Sequence, residues 1–133
     1  MLKIPSDLSQ LQNTEQLVKK IFEQYQLDLT PFPNILICIT EAITNAIIHG
    51  NERNENKYVS VTTKYEKEHL YVQITDEGEG FDPCAIPDPT LPENIYKSGG
   101  RGVFIIHQLS DYVSFKDEGK TIEMIYKIKT VPQ

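Results

Sequence analysis

Glu41, Asn45 and His49 recur at every fourth position of an otherwise apolar stretch, Glu41-Ala-Ile-Thr-Asn-Ala-Ile-Ile-His-Gly-Asn51. On a helix, residues four apart stack on one face. An acid, an amide and an imidazole are costly to bury there without partners. Either neighbouring backbone satisfies them or they do chemistry, and this stretch alone leaves both readings open.

Two glycine-bearing turns further along narrow the choice. Asp76-Glu-Gly78-Glu-Gly80 follows an alternating apolar run, so the aspartate sits at a strand end. Its carboxylate can accept a hydrogen bond from an exocyclic amine, and the glycines let backbone approach a ligand closely. Gly99-Gly100-Arg101-Gly102 opens a helical pattern, and free amides at a helix start suit phosphate. Either turn alone is commonplace. With the acid–amide helix upstream and a long loop between them, they describe a nucleotide site with a lid.

Two other nucleotide folds are excluded. Gly119-Lys120-Thr121 imitates the end of a P-loop, but Ser114 stands where that motif needs glycine and a strand pattern follows instead of a helix. No strand–GxGxxG–helix unit of the dinucleotide-binding kind occurs.

The positioning elements follow from periodicity. Residues 2–5 suit a short edge strand. Leu11, Leu17, Val18, Ile21, Phe22 and Tyr25 give an amphipathic helix from about Ser9 to Leu27. Pro31 and Pro33 end a linker, Asn34 is the expected N-cap, and the central helix runs from there to about Gly50. Val59, Val61, Thr63 and Tyr65 share one face of a strand; Leu70, Val72 and Ile74 share one face of the next. Residues 83–98 carry Pro83, Pro87, Pro89 and Pro92, a connection of the length used for lids and binding loops. A buried helix over Val103–Leu109, a strand from Tyr112 and a last strand over Thr121–Lys129 complete the order. The expected class is α+β: a two-layer sandwich with helices on one face of a mixed, mostly antiparallel sheet, residues 1–133 forming one domain.

Thirteen basic against nineteen acidic residues give a net charge of −6, without a Lys/Arg cluster. Binding of a nucleic-acid backbone is therefore not expected. Cys38 and Cys84 lie far apart with no CxxC pattern, which suits a reducing compartment and offers no disulfide framework. No signal-like apolar run opens the chain, and no segment is expected to cross a membrane, so the expected location is cytoplasmic.

Four of these motifs together resemble the Bergerat-fold (GHKL-type) ATPases, the superfamily of gyrase, histidine kinases and MutL. Glu41-x3-Asn45 resembles their N box, Asp76-x-Gly78-x-Gly80 their first glycine box, Gly99-Gly-x-Gly102 their second, and Gly119-x-Thr121 their late glycine/threonine element. Within the superfamily, Glu-Ala-Ile-Thr-Asn-Ala-Ile-Ile-His-Gly is similar to the box of bacterial anti-sigma-factor serine/threonine kinases of partner-switching modules.

The resemblance implies roles. Glu41 would be the general base, Asn45 a Mg²⁺ ligand and Asp76 the partner of the adenine amine of ATP. Gly78 and Gly80 would pass close to base and sugar. Gly99, Gly100 and Gly102 would lie against the phosphates, with residues 83–98 as the lid. Thr121 would reach the adenine directly or through water. His49 would support lid or phosphates or be purely structural, and Arg101 would face phosphate or partner. Phe104 stands where the second box often carries a further glycine, as in some small anti-sigma kinases, and no phosphoacceptor-histidine hairpin precedes the domain.

The implied function is that of an ATP- and Mg²⁺-dependent kinase. It would phosphorylate an anti-anti-sigma (STAS-type) partner, sequester a sigma factor and form a homodimer. The alternative is a non-catalytic ATP-binding module that switches protein partners. A fragment of a larger ATPase machine is disfavoured, because no transducer domain accompanies the motifs.

Overall fold

The computed structural model describes residues 1–78 and 100–132. Their order is β1 (Leu2–Pro5), α1 (Thr14–Tyr25), α2 (Phe32–Asn45), β2 (Tyr58–Glu66), β3 (His69–Thr75), α3 (Gly100–Leu109), β4 (Tyr112–Lys116) and β5 (Thr121–Lys127). The strands form one sheet in the order β1-β2-β3-β5-β4. Every pairing between them is antiparallel. The expected α+β sandwich is therefore present, and among the described residues the sheet is antiparallel throughout.

Register explains the core. Val61 pairs with Ile74 and Ile74 with Ile122; Thr63 pairs with Val72 and Val72 with Met124; Tyr65 pairs with Leu70 and Leu70 with Tyr126. Directly opposed residues share a face, so the apolar alternations of three strands meet in one layer. The helices cover that layer. The Tyr25 hydroxyl of α1 bonds the Thr63 hydroxyl at 3.0 Å, and Ser110 just past α3 bonds the Tyr126 hydroxyl at 3.0 Å. Ile35, Cys38, Ile39 and Ile43 of α2 are buried between sheet and neighbouring helices. Phe22 meets Phe32 edge-on, with ring centroids 5.2 Å apart, and ties α1 to the start of α2. The opposite sheet face is polar: Gln73 donates to Glu123 at 2.7 Å, and Lys116 pairs with Glu123 at 3.1 Å.

Three local expectations need correction. Residues Leu8–Asn13 form a 3-10 turn, opened by Asp7 accepting from the Ser9 amide, so the regular helix starts at Thr14. Helix α2 begins at Phe32 with Pro31 at its cap, not at Asn34. Pro33 sits inside the first turn, where its missing N–H costs nothing because that group has no helical acceptor. The 19-residue helix Phe32–Gly50, with mean hydropathy 1.3, does reach the length and apolarity of a membrane span. Within it Ile35, Cys38, Ile39, Ala42, Ile43 and Ile47 are packed in the core, while Ile37 is exposed.

The end of this helix also differs. After Asn45 the chain widens into a π-turn, Ala46–Gly50, closed by the Asn51 amide donating to the Ala46 carbonyl at 2.8 Å. Single π-turns within α-helices occur frequently at functional sites. The four-residue stacking holds for Glu41 and Asn45 and is broken before His49, which is exposed.

Candidate functional site

Glu41 and Asn45 lie half-buried on the last α-turns of α2. The start of α3 crosses directly above them. A methyl group at Gly102 would stand 2.7 Å from Glu41 Oε2 and 3.3 Å from Asn45 Nδ2. Glycine lets α3 come this close without displacing the Glu41 carboxylate. The helix start, whose first amides have no acceptor within the helix, is thereby held beside an acid and an amide.

One helical turn further on, a second group forms around the π-turn. The Asp76 amide donates to the Lys120 carbonyl at 2.9 Å, which extends the β3–β5 ladder by one residue. Ile74 faces the core, so Asp76, two residues on, faces the helix layer too. There its carboxylate fills the space beside Gly50, leaving no room for a side chain at that position. Asp76 Oδ1 accepts from the Gly78 amide at 2.8 Å. Gly78 is packed on Gly50 in turn: a methyl group on it would collide with the Gly50 carbonyl. Burial pushes the Asp76 carboxyl above its ordinary range, opposed by the Gly78 hydrogen bond and by the charges of Lys120 and Lys57. A half-buried carboxylate fixed at a strand end is a suitable acceptor for an amine.

Asn51, the last residue of the stretch that begins at Glu41, has no site role in the sequence reading. It is 1% exposed. Its Nδ2 donates to Ser6 Oγ at 2.8 Å and to the Tyr58 carbonyl at 3.1 Å, and its Oδ1 accepts from the Glu77 amide at 2.7 Å. Gly50 had been read only as a helix end.

Thr121 opens the last strand, β5. It pairs in register with Thr75, and the two hydroxyls bond at 2.8 Å; Thr121 Oγ1 also donates to Asp117 Oδ2 at 2.7 Å. It therefore lies on the face of Thr75, opposite the Asp76 carboxylate. Arg101 is exposed in the first turn of α3, and Gly100 begins that helix. Gly80, Gly99 and the proposed lid over 83–98 lie outside the described residues. The structure thus unites Glu41, Asn45 and Gly102 in one group and Gly50, Asp76 and Gly78 in another, both at the C-terminal end of one helix.

The sequence pattern of the histidine kinase-like ATPase domain matches residues 4–126. The chain belongs to this family. The serine-protein kinase RsbW of Staphylococcus epidermidis is 28% identical over 136 aligned positions, covering 96% of this chain and 86% of the relative. The protein of the same name from Oceanobacillus iheyensis is 29% identical over 100 positions, covering 71% and 63%. Among solved structures, the histidine kinase domain of the blue-light activated histidine kinase of Erythrobacter litoralis EL346 superposes with a TM-score of 0.55 at 17% identity. That match covers 94% of this chain, which spans 62% of the neighbour's length, and it supports the fold.

As a histidine kinase-like ATPase domain, the chain is of a family whose ligand is ATP, and the residues fit that ligand. A half-buried carboxylate stands at one end, and an amide, an acid and a glycine-opened helix stand at the other. Among the described residues no cluster of three or more His, Cys, Asp or Glu could hold a metal. A cation here would rest on Asn45 and on oxygens of the nucleotide, consistent with the few protein ligands that Mg²⁺ takes.

Proposed function

We propose that this chain is a serine/threonine protein kinase that acts as an anti-sigma factor. It phosphorylates a STAS-type anti-anti-sigma protein from ATP and holds a sigma factor when that partner is phosphorylated. The observation that carries the reading is the juxtaposition of Glu41, Asn45 and the start of α3. The RsbW relatives, named serine-protein kinases, support the reaction class.

In this reading Asp76 orients the base through its amine. Asn45 holds Mg²⁺, which neutralises phosphate charge when bound. Amides at the start of α3 face the phosphates. Glu41 takes the proton of the incoming serine or threonine hydroxyl at its carboxylate, the task of a general base in phosphoryl transfer. The protein works as a homodimer in the cytoplasm.

The test is incubation with γ-labelled ATP and candidate STAS proteins of the same cell. Label on a serine or threonine of one of them is the expected result. Normal ATP binding with no transfer to any of them would sink the kinase reading and leave a nucleotide-dependent binding switch.

A further inference from the structure

Asn51 is tied to four parts of the fold at once. Its backbone amide closes the π-turn on Ala46, and its side chain reaches Ser6 after β1, Tyr58 at the start of β2 and Glu77 after β3. Its orientation is fixed by logic as well as by distance. The Ser6 hydroxyl has one proton, which it donates to the Lys57 carbonyl at 2.8 Å. Ser6 must therefore accept from Asn51, and the Tyr58 carbonyl can only accept. Both contacts require the NH₂ end of the amide, so Oδ1 points at the Glu77 amide. That amide belongs to the peptide joining Asp76 to Glu77. The Glu77 carboxylate accepts from the Tyr58 amide, which holds the same residue a second time. The peptide behind Asp76 is thus pinned to the end of α2, while Gly50 packs against its carboxylate.

We propose that Asn51 is a positioning residue for base recognition: by fixing the Asp76–Glu77 peptide it sets how sharply the site prefers a purine bearing an exocyclic amine. This rests on the nucleotide reading above. Asn51 touches no reacting group; it acts through the direction in which Asp76 presents its oxygens.

The experiment compares dissociation constants of the full chain for ATP and for inosine triphosphate, which carries oxygen in place of the amine. Titrations are made well below the melting temperature of each variant. The wild-type protein is expected to prefer ATP. Asn51→Ala should reduce that preference about tenfold, the scale of one misdirected hydrogen bond. Ser6→Ala, a milder change that frees one end of the amide, should reduce it about threefold and decides the matter if Asn51→Ala does not fold. A lower melting temperature with an unchanged ATP/inosine triphosphate ratio overturns the proposal and leaves Asn51 a structural residue. Equal wild-type affinity for the two nucleotides also overturns it, while sparing the ATP reading. Wild-type binding of neither overturns both.

Discussion

Glu41 and Asn45 sit one helical turn apart beneath the same glycine, yet removing each should give a different phenotype. Glu41→Ala should leave ATP binding near wild type and cut transfer to a STAS acceptor by about 10²–10⁴-fold, the usual contribution of a general base. Asn45→Ala should weaken ATP binding with Mg²⁺ present and change it little with chelator. Paired titrations and single-turnover assays separate the two. Asp76 carries a cost to folding. Burial raises its carboxyl, so its ionised form is disfavoured in the native state. A raised acid favours the native state below the unfolded carboxylate range, and that contribution is lost as pH rises through the raised value. At neutral pH the ion is a burden on the free protein. Asp76→Asn should therefore raise the melting temperature at neutral pH, lose that gain towards about pH 4, and abolish nucleotide binding. Melting curves at two pH values with a binding titration check all three.

At the scale of elements, α3 illustrates a conflict between local and global demands. Alanine forms helix better than glycine by about 1 kcal/mol, so Gly102→Ala should strengthen α3 alone. In the folded protein the added methyl would press on Glu41 Oε2. Transfer should fall by at least about tenfold while helicity is kept, the trade-off expected when a site residue is stabilised. The β2–β3 hairpin gives the opposite case. Glu66 faces His69 across a two-residue loop in which Lys67 and Glu68 have φ of 52° and 61°. Two-residue loops with both φ positive favour Asn-Gly. Replacing Lys67-Glu68 by Asn-Gly should stabilise the chain by about 1–2 kcal/mol, read from chemical denaturation, with no change in ATP affinity.

Sheet and core were legible because side chains alternate with period two and the apolar sets of β2, β3 and β5 fall in register. Glu41 and Asn45 were legible because four-residue spacing survives through Asn45. What lay beyond the sequence was set by distant partners. Asn51 looks like a turn residue until Ser6, Tyr58 and Glu77 converge on it. The π-turn leaves no mark in apolar periodicity, since it is defined by a backbone bond from residue 51 to residue 46. Thr121 carries the right motif at the right strand end. Its facing depends on pairing with Thr75 rather than with Asp76, a parity that only the register reveals.

For the whole molecule, α2 is the shared dependency. Ile35, Ile39 and Ile43 of this helix and Ile47 of the π-turn after it are at most 1% exposed, and both halves of the site hang from its end. Ile39→Ala should cost about 2–5 kcal/mol and lower ATP affinity with it, measured by melting and titration on one sample. The converse gives this arrangement a cellular meaning. A ligand gripping the end of the central strut stabilises the native state by mass action, by about 2.7 kcal/mol when it stands at a hundred times its dissociation constant. Protease survival of the protein should then follow nucleotide supply. Cells depleted of ATP would shorten the lifetime of the chain as well as idle it, so its abundance would itself become a record of the energy state.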